Sequence, residues 1–244
     1  MLRFLVLYCE KIGAGDNVNR KIWLSPSVMC ADLADLKSSI RELESVQVDA
    51  LHIDIIDGAF SPAMPLGLDT IKRLRELTDL DFDIHIMALN NEFFVKKVLD
   101  IGVQQISFHY ESSLHVERLL NMIRSQGVKA GIALNPATPL SVLEYILPQL
   151  DNVLLMLINP GYADNQNEQQ VSYAIEKTQR LAEYISRLER RPAIQVDGRV
   201  SFSTIPQLLA AGADNLVLGS TSLYRSGYTL AENRKALADL ILNM

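Results

Sequence analysis

The chain has little of what would tie it to an oxidising compartment, a membrane or a nucleic acid. Two cysteines occur in 244 residues, Cys9 and Cys30, too few for a disulfide framework and not in a Cys-x-x-Cys pattern. A reducing cytoplasm is the expectation. The apolar start, Met1 to Cys9, is far shorter than the roughly 20 residues that span a bilayer. It is interrupted at Glu10 and Lys11, with no small-residue cleavage site. No membrane partner is expected. Positive charge is also scarce: 23 Lys and Arg stand against 29 Asp and Glu, a formal charge of −6. The basic residues are scattered, which leaves no electrostatic footprint for nucleic acid.

Apolar residues, by contrast, make up 48% of the chain, enough for a large core in one domain of this length. After residue 20 a short β-rich run, a polar or Gly/Pro loop and an amphipathic stretch recur. Strands are expected at Ile22 to Val28, Ala50 to Ile55, Phe82 to Met87, Gln104 to His109, Ala130 to Leu134, Val153 to Leu157, Ala193 to Val196 and Leu216 to Leu218. Helical patterns fall between and after them: Leu33 to Val46, Ile71 to Leu77, Phe93 to Ile101, Val116 to Ser125, Leu140 to Leu147, Val171 to Leu188, Ile205 to Ala211 and Leu230 to Leu242. Strict alternation argues for an α/β fold with a parallel sheet closed on itself, a (β/α)8 TIM barrel. Residues 21–244 form that barrel as one domain, and residues 1–20, with the linker Gly13-Ala-Gly15, form an N-terminal extension. Gly102, Gly127 and Gly212 stand where helices should end.

The chemistry sits at strand ends. His52 and Asp54 lie two apart on one strand and so share a face, while His85 and Asp197 end two other strands. Two imidazoles and two carboxylates suit one divalent ion of the Zn, Fe, Mn or Co type and not an all-oxygen calcium site. A lone strand-end His or Asp is more often structural. Four on three strands, using half of the chain's four histidines, argue for a metal site. Asp83 shares a face with His85 and is a candidate acceptor for a ligand imidazole. Glycine-bearing loops follow later strands: Asn159-Pro-Gly-Tyr162, Asp197-Gly198 and Gly219-Ser220. Exposed amides of this kind bind phosphate, and loops after strands 7 and 8 are a frequent phosphate site in such barrels. A small phosphorylated substrate spanning metal and glycine loops is the expectation. Met29, Met87 and Met156, near strand ends, fill the core or wall the site from water.

The segments Ser25-Pro-Ser-Val-Met-Cys-Ala-Asp32, Leu51-His-Ile-Asp-Ile-Ile-Asp-Gly58, Asp83-Ile-His-Ile-Met87, Gly131-Ile-Ala-Leu-Asn-Pro-Ala-Thr-Pro139, Met156-Leu-Ile-Asn-Pro-Gly161, Val196-Asp-Gly198 and Gly212-Ala-Asp-Asn-Leu-Val-Leu-Gly-Ser220 together resemble the ribulose-phosphate 3-epimerase family. The resemblance implies His52, Asp54, His85 and Asp197 as metal ligands, with Asp54 and Asp197 also the acid/base pair. It implies substrate contacts at Ser27, at His85, in the loop Gly161, Tyr162, Ala163 and Asp164, at Gly198 and Arg199, and at Gly219 and Ser220. The reaction implied is metal-dependent 3-epimerisation of a ketose phosphate through a metal-stabilised enediolate, in a homo-oligomer. The substrate is D-ribulose 5-phosphate, giving D-xylulose 5-phosphate, or a hexulose 6-phosphate such as allulose 6-phosphate. Departures fall near the phosphate loops: Tyr162-Ala163-Asp164 replaces the family's Phe-Gly-Gly, and Arg199 replaces the second glycine of Asp-Gly-Gly. Arg199 could bind phosphate through its guanidinium fork or neutralise Asp164. Related barrel decarboxylases carry a lysine in the segment matching His52-Ile-Asp-Ile-Ile-Asp57, and its absence points away from them. The alternative from another class is a catalytically silent sugar-phosphate-binding barrel.

Overall fold

The computed structural model describes residues 8–9, 20–163, 165 and 167–244. Eight parallel strands form the sheet: β1 (Trp23–Pro26), β2 (Ala50–Ile56), β3 (Asp81–Met87), β4 (Gln105–His109), β5 (Lys129–Leu134), β6 (Asn152–Met156), β7 (Ala193–Asp197) and β8 (Asn215–Leu218). Each pairs in parallel with its sequence neighbour from β2 through β8, and β8 pairs with β1. The seam between β1 and β2 is joined by a single bridge, Ser27 to His52. It is reinforced by Asp49, whose amide donates to Leu24 O at 3.1 Å and whose carboxylate accepts from Leu24 N at 2.9 Å. The expected barrel is present as a single domain. Most of the expected extension, residues 1–20, lies outside the described residues. Its Tyr8–Cys9 segment pairs antiparallel with Arg20–Lys21.

Among the described residues seven α-helices alternate with the strands: α1 (Leu36–Ser45), α2 (Leu68–Arg75), α3 (Asn91–Ile101), α4 (Val116–Ser125), α5 (Ala174–Ile185), α6 (Ile205–Ala210) and α7 (Leu230–Leu242). Side-chain caps set several starts. Asp35 accepts from Ser38 N, Asn90 accepts from Phe93 N, and Thr229 with Glu232 forms a capping box. The expected helix Leu140 to Leu147 is instead two 3-10 turns, Leu140–Leu143 and Leu147–Gln149. Pro148 supplies no amide and would clash with a helical carbonyl four residues back, so the run between Pro139 and Pro148 stays in tighter i to i+3 turns. Gly102, Gly127 and Gly212 are all left-handed, with φ of 87°, 72° and 108°, as helix-ending glycines should be. Among the described residues no helix is long and apolar enough to cross a membrane.

The period of two along each strand sorts the barrel into two materials. Leu24, Ile53, Ile84, Ile106, Ile132, Val153, Ile194 and Leu216, one from each strand, are fully buried members of the aliphatic core that the helices pack against. The alternate positions fill the barrel with polar groups: Ser25, Asp83, Ser107, Asn152, Gln195 and Asn215 are all buried. They bond to one another, Asn152 Nδ2 to Gln195 Oε1 at 2.6 Å and to Ser107 Oγ at 3.1 Å, Ser25 Oγ to Asn215 Oδ1 at 2.8 Å. Gly131 faces this network; a Cβ there would collide with Ser107 Oγ.

Candidate functional site

β2 and β3 run in register, Asp54 beside His85 and His52 beside Asp83, and β7 brings Asp197 from the opposite side of the barrel. His52, Asp54, His85 and Asp197 each offer one ligand atom, all within 4.8 Å of one another. Asp54 Oδ1 is 3.3 Å from His52 Nε2 and 3.2 Å from His85 Nδ1, and Asp197 Oδ2 is 3.9 Å from each of those nitrogens. The donor set fits a divalent cation on a local observation. His52 Nδ1 is engaged by Asp83 Oδ2 at 2.8 Å, whereas His52 Nε2, buried and turned toward the cluster, has no hydrogen-bond partner. A buried, unsatisfied imidazole nitrogen is costly unless it ligates something. Asp83 accepts as expected, and is itself held by Gln105 Nε2 at 2.8 Å and by Gln195 Nε2.

With the protein groups alone, the cluster divides protons unevenly. Burial opposes a charged His52, but Asp54 and Asp83 outweigh it and hold its pKa well above 6.5. Burial would likewise raise Asp54, yet His52 and His85 keep it below the usual carboxylate range. Asp197 is pushed up to about 7, by burial first and by the charges of Asp54 and Asp83 as well, with His52 opposing. Burial lowers His85 to about 4. Neighbouring carboxylates whose surroundings drive their pKa values apart are one arrangement that acid/base chemistry uses.

Above the cluster opens a cleft of about 320 Å³, lined at its base by Ser27, Asp54 and Asp197 and on its walls by Met29, Met87 and Met156, within the range of small-ligand sites. A second cavity of about 150 Å³ lies at the other end of the barrel, among Trp23, Asp81 and Lys129, away from the cluster. Gly161, Ala163, Gly198, Arg199, Gly219 and Ser220 line the upper cleft. Tyr162 stands outside that lining and is 45% exposed. Asp164 lies outside the described residues. His85 is fully buried beneath the cleft, and Ser27 Oγ donates to Asp54 Oδ2 at 2.9 Å.

Gly198 has φ of +112°, and a Cβ there would press on Ile158 Cγ1 at 2.7 Å, so this turn admits only glycine. Arg199 follows it in the left-handed region at φ 52°. Its guanidinium has a use that the sequence did not suggest: Nη2 donates to Ala163 O and Asn165 O, each at 2.8 Å, and Nε to Glu168 O at 3.1 Å. Arg199 therefore ties the loop after β6 to the loop after β7.

Sequence reasoning missed His109 and Glu111. His109 ends β4 and is fully buried, its Nε2 2.9 Å from His85 Nε2 and its Nδ1 3.0 Å from Glu111 Oε2. The signal was available: His109 and Glu111 repeat at a strand end the two-residue spacing that singled out His52 and Asp54. It also missed Thr221 and Tyr224, which line the cleft.

The model of the ribulose-phosphate 3 epimerase family matches residues 23–223. The chain belongs to that family. It is 34% identical over 219 residues to the ribulose-phosphate 3-epimerase of Bacillus subtilis, covering 90% of this chain and 98% of that one. It is 35% identical to the chloroplastic ribulose-5-phosphate-3-epimerase of Arabidopsis thaliana over 86% of this chain and 74% of that one. Among solved structures, 3-hexulose-6-phosphate synthase from Salmonella typhimurium superposes with a TM-score of 0.65 over 91% of this chain and 99% of that one, at 15% identity, a likeness of fold alone.

Proposed function

We propose that this member of the family catalyses 3-epimerisation of a ketose phosphate, with Asp54 and Asp197 as the acid/base pair and His52, Asp54, His85 and Asp197 holding one divalent cation of the Zn, Fe, Mn or Co type. The observation that carries the reading is the convergence of four ligand atoms, with the orphaned His52 Nε2 turned toward them, at the base of a cleft. When bound, the cation supplies Lewis-acid polarisation of the substrate's oxygens.

The chain's own residues do the rest. One carboxylate takes the C3 proton, the C–H electrons move into the neighbouring C2 carbonyl, and the carboxylic acid on the other side returns a proton to the opposite face of C3. In this reading Asp54 and Asp197, on β2 and β7, make the exchange and swap roles with direction. Ser27 holds the second oxygen of Asp54, leaving Oδ1 for the cluster. The methionines keep water from the reacting carbon. The glycine loops at Gly161, Gly198 and Gly219–Ser220, with Ala163 beside them, accommodate the phosphate, and Arg199 contributes by ordering the loop it binds. A pentulose 5-phosphate fits this reading, and a hexulose 6-phosphate is its variant.

The test is twofold. Purified protein should carry about one equivalent of a divalent transition metal by elemental analysis, and chelation should abolish interconversion of D-ribulose 5-phosphate and D-xylulose 5-phosphate. Protein that binds substrate yet turns over neither pentulose nor hexulose phosphate with Zn, Mn, Fe or Co supplied would be a silent binding barrel.

A further inference from the structure

The two imidazoles at the cluster present opposite nitrogens. His52 turns Nε2 inward and gives its Nδ1 proton to Asp83, a direct carboxylate–histidine pair. His85 turns Nδ1 inward, toward Asp54 Oδ1 at 3.2 Å, and among the described residues its outer nitrogen bonds a second imidazole and no carboxylate. That outer Nε2 meets His109 Nε2 at 2.9 Å. Only one hydrogen fits between two facing ring nitrogens, so one ring donates and the other accepts. Which one donates decides whether His85 Nδ1 carries a lone pair or a proton.

We infer that Glu111, acting through His109, is the positioning residue that fixes His85 in the Nε2–H tautomer and so leaves its Nδ1 free for a cation. Glu111 is surrounded by donors. Oε1 accepts from Asn135 N at 2.7 Å and from Thr138 Oγ1, while Oε2 faces His109 Nδ1 at 3.0 Å. A carboxylate so placed accepts, which puts the His109 proton on Nδ1 and makes His109 Nε2 an acceptor. His85 then donates from Nε2, which leaves its Nδ1 lone pair facing the acceptor Asp54 Oδ1 at 3.2 Å. A cation between these two acceptors would satisfy both, and with no cation bound they compete with the relay for the proton. The outer end of the relay is anchored by a second element: Lys177 of α5 donates to the carbonyls of Asn135 and Pro136, each at 2.8 Å, holding the loop that bonds Glu111. Phe60, from the loop after β2, covers the His109 ring at 4.6 Å between centroids. Ser113 Oγ fixes the His109 carbonyl at 2.9 Å. The relay is thus tied to α5 and to the loops after β2, β4 and β5, and it ends on one ring nitrogen.

This inference rests on the cation reading above, and the experiment separates the two. Long-range ¹H–¹⁵N spectra of metal-free protein labelled at histidine should show His85 protonated at Nε2 and His109 at Nδ1. Glu111→Lys offers only donors to His109, which pushes the His109 proton to Nε2 and the His85 proton to Nδ1. Its affinity for Zn²⁺ or Mn²⁺, measured by competition with a chelator, should fall roughly 10- to 100-fold. Glu111→Gln, which keeps an acceptor oxygen, should bind close to wild type. If Glu111→Lys does not fold, His109→Leu removes the acceptor while keeping an apolar plug, and should give the same loss with a mixed His85 tautomer. Wild-type His85 protonated at Nδ1, or undiminished affinity in Glu111→Lys, would overturn the relay. Wild-type protein that takes up neither ion would overturn the cation reading instead, and the spectra would then decide the relay alone.

Discussion

Neighbouring residues on each barrel strand belong to different materials. Ile53 and Ile84 face the helices inside an aliphatic shell, whereas His52, Asp54, Asp83 and His85, one step along the same strands, face a barrel interior lined with amides, hydroxyls and carboxylates. Barrels of this kind usually fill their interior with bulky branched side chains. Here the interior is a network in which Gln105, Gln195, Asn152 and Ser107 support Asp83 and thereby the orientation of His52. The shell stabilises the fold through buried area and needs only volume and apolarity. The interior depends on meeting its donors and acceptors, because in a dry, low-dielectric space an unmet one is costly, and Asn152 Oδ1 is one that it leaves without a partner. Stability and chemistry are therefore carried by opposite faces of the same strands.

That division can be broken from either side. The largest effect is expected inside: Asp54→Asn and Asp197→Asn should each reduce epimerisation by at least roughly 10²- to 10⁴-fold with melting temperatures near wild type. A mutant that loses its far-ultraviolet dichroism along with its activity would show that the interior carries stability too. The converse change is Ile84→Ala, which should lower the unfolding free energy by about 2–5 kcal/mol. Below its melting temperature the kcat/KM of this mutant should stay within a few-fold of wild type; a hundredfold loss of turnover in well-folded protein would mean that the shell tunes the site.

The remaining two predictions concern the rim where the materials meet. Arg199→Ala removes three guanidinium bonds to the loop after β6. KM for the phosphorylated substrate should rise about tenfold, the order of one charge-assisted hydrogen bond, with kcat nearly unchanged. An unaltered KM would show that the loop holds its shape through other contacts, such as Glu168 with Asn159. The smallest effect is the pH dependence at Glu111. Burial opposes its ionisation, but His109 and Thr138 bring its pKa down to about 2 from an ordinary 4.5. A folded-state value below the unfolded one gives stability that is fully present above about pH 4.5 and is lost as the pH falls through 2. The melting-temperature gap between wild type and Glu111→Gln should therefore be widest near neutral pH and close toward pH 2. A constant gap would mean that the carboxylate charge is not what Glu111 contributes.

By itself the sequence determined the architecture and picked out the four residues that the structure brings into one cluster. Periods of two and of about 3.6, punctuated by Gly102, Gly127 and Gly212, are local properties, and they located all eight strands and seven of the eight expected helices. The eighth was misread because its apolar spacing looked helical while Pro148 denied it an amide. His52, Asp54, His85 and Asp197 were legible because residue type and strand-end position together restrict the chemistry. What the tertiary structure decided was pairing. Which nitrogen each imidazole turns inward, the relay from His85 through His109 to Glu111, and the contact of Arg199 with backbone carbonyls of another loop depend on distances between strands and loops far apart in the chain. Those distances follow from the closure of the barrel and the register of its strands, and no periodicity along one segment encodes them.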